Sequence, residues 1–294
     1  MWDLLIKGGR IVDPSRELGF VGDLAVHSGR VAALGPSLDQ SAEYPGASAA
    51  LNASGLVVTP GLVDIHTHLS ADTGYWGLDP ETVAWRTGVT TWVDAGSVGA
   101  FGLAGLRKAA RASELSISAL INVSSIGIPG ETGEHHDLAN LDVDLAQRLA
   151  AAAGGFVSRV KVRIDRRTVG PHGLEPLIRG IELARRLDRP VMVHIGYGPP
   201  HVTDILAHLR PGDVLTHCAS GSPTDLLHNG QVSPALLRAA ERGVRLDIGH
   251  GSGAFDFDVL ECELAAGLRP TISTDLHAVS ATGLPSTCRR SWRR

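Results

Sequence analysis

From about residue 58 the chain alternates short β-branched apolar runs with stretches whose apolar positions recur at helical spacing, the rhythm of repeated strand–helix units. Eight runs read as strands: Gly61–His68, Thr90–Asp94, Ser116–Val123, Val157–Ile164, Pro190–Ile195, Val214–Cys218, Arg245–Ile248 and Thr271–Asp275. Candidate helices fall at Leu103–Ser113, Leu141–Ala153, Val202–Leu209, Pro234–Arg242 and Val259–Gly267. The clearest helix carries the stripe Leu174, Leu177, Ile178, Ile181, Ala184 and Leu187, and stops before Asp188-Arg189-Pro190, because proline disfavours helical backbone in the residue before it. Eight such units predict an α/β fold, a (β/α)8 barrel of TIM type.

Residues 1–57 keep a different rhythm. Leu4 to Ile6 and Arg10 to Val12 flank Gly8-Gly9, while Asp23–Val26 leads through Ser28-Gly29 into Arg30–Leu34. Two hairpins are expected, within a small β-sandwich-like domain spanning 1–57, followed by a barrel domain spanning 58–294. Ser37–Ser48 is polar and rich in small residues, and is expected to be an exposed loop.

Composition narrows the function classes. With 43% hydrophobic and 20% charged residues, the chain has the balance of a soluble globular enzyme. A net charge of -4 leaves no basic surplus for phosphates, so no nucleic-acid partner is expected. Cys218, Cys262 and Cys288 are odd in number and lack metal-finger spacing, which points to a reducing compartment. No long apolar run follows Met1 or occurs elsewhere, so neither a signal peptide nor a membrane span is expected, and the reading is cytoplasmic.

The chemistry lies at the ends of the strand runs. His66 and His68 end the first run two residues apart, hence on one strand face. Lys161 sits among valines in Val160-Lys161-Val162-Arg163, His194 ends Val191–His194, His217 ends Val214–His217 and Asp275 ends Ile272–Asp275. Barrel strands converge at their C-terminal ends, and imidazole with carboxylate suits Zn²⁺ and similar ions.

With these residues in that order, the chain resembles the amidohydrolase superfamily, and within it the deacetylase-like (dihydroorotase-like) metallohydrolases. The resemblance rests also on His194-Ile195-Gly196-Tyr197-Gly198, Thr216-His217-Cys218, Asp247-Ile248-Gly249-His250-Gly251 and Ser273-Thr274-Asp275-Leu276-His277. It implies two divalent ions, Zn²⁺ by preference. One is held by His66, His68, Lys161 and Asp275, the other by Lys161, His194 and His217, with Lys161 carboxylated by CO₂ and bridging both. A lysine in an apolar strand near cations loses its proton readily, and the neutral amine can capture CO₂. A hydroxide bridging the ions would attack the substrate carbonyl while Asp275 shuttles the proton.

Other residues are read more plainly. Asp64 is expected to anchor structure, and Asp94 either orients a ligand or caps the next helix. Arg163 could pair with a substrate carboxylate or with a structural acid, and Cys218 reads as an apolar filler. Tyr197 and His250 are candidate substrate contacts, and Tyr75 and Trp76 candidate pocket walls. His135, His136 and His277 are expected in loops and are not taken as ligands. The Gly249–Gly253 turn matches neither phosphate-binding pattern.

Dihydroorotases carry an arginine soon after the His-X-His, whereas this chain has His68-Leu69-Ser70. The expected reaction is therefore hydrolysis of an acyl amide or ester in a small acid, with cyclic-amide hydrolysis of the dihydroorotase or hydantoinase type as the alternative. After Asp275 the sequence ends in a basic tail, Ser286 to Arg294, without an apolar stripe. A missing last barrel helix and missing C-terminal β strands are expected from it. A non-catalytic remnant, or a homo-oligomer formed through exposed apolar surface, follows as a further expectation.

Overall fold

The structure is a computed structural model that describes residues 1–71 and 73–283. The chain divides into two compact units, Met1–Leu62 and Val63–Arg294.

In the first unit β1 (Trp2–Asp13) pairs antiparallel with β2 (Leu18–His27), and β2 with β3 (Arg30–Gly35). The other edge of β1 takes β4 (Ala47–Asn52) and β5 (Val57–Val58) in parallel. These strands make one mixed sheet in place of the sandwich-like unit expected. The hairpin through Ser28-Gly29 forms as expected, but Gly8-Gly9 is not a turn. The register of β1 against β2 shifts between Ile6 and Gly9, a bulge inside one long strand. Gly8 adopts a φ of 67°, open to glycine without penalty. Its N–H donates to the buried carboxylate of Asp23 at 2.9 Å, whose other oxygen accepts the N–H of Leu38 at 2.8 Å. A buried carboxylate thus satisfies the donor that the bulge removes from the ladder. The segment Ser37–Ser48 contains a 3-10 turn at Leu38–Gln40 and ends in β4.

The second unit holds β6 (Leu62–Thr67), β7 (Val89–Ala95), β8 (Ser116–Asn122), β9 (Val157–Ile164), β10 (Val191–Ile195) and β11 (Val214–Thr216). A two-stranded hairpin, β12 (Leu227–His228) with β13 (Gln231–Val232), precedes β14 (Arg245–Asp247). Seven strands form a curled sheet in the order β14-β11-β10-β9-β8-β7-β6, and its neighbouring strands from β7 to β14 run parallel. Helices α1 (Leu103–Ala112), α2 (Val143–Ala153), α3 (Arg166–Val169), α4 (Glu175–Arg186), α5 (Val202–His208) and α6 (Pro234–Glu241) lie between strands, α7 (Phe257–Ala265) follows β14, and α8 (Ala278–Gly283) ends the described chain.

Strand β9 shows why the pattern was readable. Val157, Val160, Val162 and Ile164 are buried and share a core cluster with Leu177, Ile181 and Ala184 of α4. Helix and strand approach closely at Gly180, where a Cβ would lie 2.3 Å from a Val162 methyl.

The eighth run departs from expectation. Thr271–Asp275 is not a continuous strand; single bridges join Thr271 to Asp247 and Leu276 to Thr67. The segment thereby meets both edge strands of the seven-stranded sheet. A side chain replaces part of its ladder, Thr274 donating its N–H to Asp64, while the Ser273 hydroxyl donates to Asp247. Asp275 itself adopts a φ of 49°, outside extended backbone. The expected absence of a last helix and of closing strands concerns a tail that lies outside the described residues.

Candidate active site

His66 is the penultimate residue of β6 and His68 lies just beyond the strand, and both are buried. The Nδ1 of His66 lies 2.9 Å from the Thr216 hydroxyl, which donates its single proton to Asp247 at 2.7 Å. Thr216 must therefore accept from His66, so Nδ1 carries the imidazole proton and Nε2 keeps a lone pair. That lone pair faces Asp275 Oδ1 at 3.3 Å and Lys161 Nζ at 2.8 Å. His217 is held the same way: Nδ1 donates to the Gly249 carbonyl at 2.7 Å, while the buried Nε2 has no hydrogen-bond partner among the described residues.

His66, His217 and Asp275 each bring one ligand-type atom into a group whose members all lie within 4.8 Å of one another. Asp275 Oδ1 also lies 3.2 Å from His68 Nε2. Separations near 3.3 Å suit two donors each about 2.1 Å from a common Zn²⁺. Acceptor atoms converging on one spot, one of them buried without a proton donor, fit a cation. His217 and Asp275 both hold positive φ, 63° and 49°, strain of about 1–3 kcal/mol each in a side chain other than glycine.

Burial pushes the acid constants of the imidazoles down, His66 well below the usual value, His217 to about 3 and His194 to about 4, so all three are neutral and able to ligate near neutral pH. Burial likewise lowers the Lys161 amine to about 8.

Lys161, His194 and Arg163 line the same cavity of about 240 Å³ as His66, His68, His217 and Asp275. The His194 ring meets His217 edge-on, centroids 4.6 Å apart, and its Nε2 lies 3.7 Å from Asp165. All six expected ligands thus face one cavity. Arg163 is paired with the buried Glu134 at 3.2 Å, the structural option of the two expected. Tyr197 and His250 do not line the cavity. Tyr197 lies beneath the Arg166 guanidinium, and His250 stacks on Phe255. Their places on the wall go to Trp76, Ile128, His277 and Ser252-Gly253-Ala254. His277 was expected in a loop, and its burial has no signature in spacing.

Two further aspartates, Asp64 and Asp94, tie the rim together. Asp64 accepts from His66 N–H and from Thr274, the anchoring role expected. Asp94 accepts the N–H groups of Leu69 and Ser97, and Ser97 Oγ sits 2.8 Å from His68 Nδ1. Cys218 is buried with its Sγ toward Glu263, as a filler. No helix among the described residues is long and apolar enough to cross a membrane.

Residues 57–210 match the amidohydrolase family model. The chain is 32% identical over 284 residues to a deacetylase of Enterococcus faecalis, covering 94% of this chain and 73% of that one. A deacetylase of Agrobacterium fabrum is 35% identical over 257 residues, 86% of this chain and 62% of the relative, so less than two thirds of that protein's length is spanned. Among solved structures, a dihydroorotase superposes with a TM-score of 0.84 at 32% identity, covering 94% of this chain and 73% of that one. An adenine deaminase also gives 0.84, at 29% identity, covering 96% and 75%. The chain belongs to the amidohydrolase family.

Proposed function

We propose that this protein is a metal-dependent deacetylase that hydrolyses an acyl amide or ester bond in a small organic acid. The observation that carries the reading is the convergence of His66, His217 and Asp275 on one buried spot with the His217 Nε2 unpartnered. The deacetylase relatives extend along most of this chain, and His68-Leu69-Ser70, without an arginine after the His-X-His, favours acyl transfer to water over ring opening. In this reading the curled sheet and its bridging segment are a (β/α)8 barrel spanning 58–294, with a small β domain at 1–57.

His66, His68, Lys161 and Asp275 would hold one ion, and Lys161, His194 and His217 a second, with Zn²⁺ suited to this donor set. Lys161 would serve as its carbamate, since a free amine offers the ions no anionic oxygen. When bound, the ions supply Lewis acidity, polarising the acyl oxygen and acidifying water. The chain's own residues do the rest. Asp275 takes the proton from the attacking water and returns it to the leaving nitrogen or oxygen. Thr216 with Asp247, and the Gly249 carbonyl, keep the His66 and His217 lone pairs aimed inward. Arg163, held by Glu134, puts a fixed guanidinium on the cavity wall, where a carboxylate of the substrate could pair with it.

The test is metal analysis of protein purified with Zn²⁺ and bicarbonate, followed by assay of N- and O-acetylated acids beside dihydroorotate and hydantoins. About two ions per chain with acetate release supports the proposal. Ring opening alone would favour the cyclic-amidase alternative. Absence of bound metal and of turnover would leave the non-catalytic remnant.

A further inference from the structure

His277 lines the cavity two residues beyond Asp275 and is buried, yet no step above uses it. Its ring is locked from several sides. The Ser280 N–H donates to Nδ1 at 3.1 Å, and the Ser280 hydroxyl accepts the His277 N–H and donates to the His277 carbonyl. Trp76 meets the ring edge-on at 4.6 Å and is itself tied by its indole N–H to the Gly130 carbonyl. The neighbouring backbone is stitched down as well, His68 N–H to Leu276 O and Ala278 N–H to Trp76 O.

A backbone amide can only donate, so Nδ1 must keep its lone pair and the ring proton must sit on Nε2. Among the described residues nothing accepts from that Nε2–H, and the cavity is the open space beside the ring. Such a donor, fixed in advance, matches what a carbonyl oxygen needs when it gains charge.

We propose that His277 is a further catalytic residue whose Nε2–H donates a hydrogen bond to the substrate's acyl oxygen as that oxygen becomes negative. The inference rests on the hydrolase reading. Water adds to the acyl carbon, and the π pair moves onto the oxygen facing His277. When the pair returns, the bond to the leaving group breaks and Asp275 supplies that group's proton. His277 keeps its own proton throughout.

The experiment compares wild type, His277→Phe and His277→Gln, each loaded with Zn²⁺ and bicarbonate. The probes are the acetylated acid found active and its methylphosphonate counterpart, a tetrahedral mimic. Removing one such donor should lower kcat about 10²–10³-fold with KM little changed. Binding of the phosphonate, read by calorimetry, should weaken by a similar factor. Glutamine, whose amide N–H reaches near the Nε2 position, should recover roughly tenfold or more of the loss, and bound metal should match wild type. A soluble, metal-loaded His277→Phe protein with unchanged kcat overturns the inference. So does a loss confined to KM, which would place His277 on a ground-state contact. An inactive wild type overturns the hydrolase reading itself, and an active wild type with an equally active variant overturns this step alone.

Discussion

The two sides of the cavity are built differently. On one side, His66 and His217 have their Nδ1 protons spent on Thr216 and the Gly249 carbonyl, and Asp275 faces their lone pairs. On the other, His194 faces Asp165 at 3.7 Å, and Lys161 presents an amine, 2.8 Å from His66 Nε2 and 3.8 Å from Met192 Sδ. The first side is a set of acceptors awaiting a cation. The second holds a donor where the proposed second ion would need an acceptor, and burial lowers that amine to about 8. The difference teaches that hydrogen bonding organises one half of the site in advance, whereas on the proposed reading the other half waits for carboxylation of Lys161.

Several measurements would break or sharpen that contrast. The largest effect is expected from Asp275→Asn, which should cost about 10³–10⁴ in kcat while much of the metal stays bound. Asparagine tolerates the positive φ at this position, so a folded variant with substantial turnover would remove Asp275 from proton transfer. Lys161→Met should next separate the two sides. We expect bound metal to fall from about two ions per chain to about one, with activity reduced at least roughly 10²-fold. Equal metal content in wild type and variant would show that Lys161 bridges nothing.

Thr216→Val should weaken metal binding by about 10–100-fold through loss of the hydrogen bond that fixes the His66 tautomer. Thr216→Ser should stay close to wild type, and equal losses in both would point to packing instead. The smallest effect concerns pH. The amine must be neutral to capture CO₂, and with its constant lowered from 10.5 to about 8 roughly a tenth is neutral at pH 7. At fixed dissolved CO₂, reconstitution of metal-free protein should therefore quicken about tenfold from pH 6 to 7 and level off above pH 8. A rate still climbing steeply beyond pH 9 would mean an ordinary, unperturbed lysine.

Much of the sheet could be read in advance because strands buried on both faces appear as continuous apolar runs. Strand β9 (Val157–Ile164) keeps the bounds that its valines suggest. The six candidate ligands were legible for a related reason: each is a polar side chain placed in or just after such a run. Thr271–Asp275 was harder, because Asp64 accepts the Thr274 N–H that a strand pattern assigns to a neighbouring backbone carbonyl. Gly8-Gly9 carries a turn's composition, and only Asp23, reaching across from β2, makes a bulge of it. Tyr197 and His250 have the right chemistry, but loop geometry turns them elsewhere.

The sequence by itself determined the alternation of strands and helices and the order in which ligand-type residues recur along them. Both are local properties, set by periodicity and by the cost of placing polar groups among apolar ones. Tertiary structure alone decided which nitrogen of each histidine faces inward, that Glu134 holds Arg163, and that Trp76 packs against His277. Those outcomes depend on partners far apart in the chain, such as Thr216, 150 residues from His66, and no pattern within a single segment encodes a hydrogen bond closed only by folding.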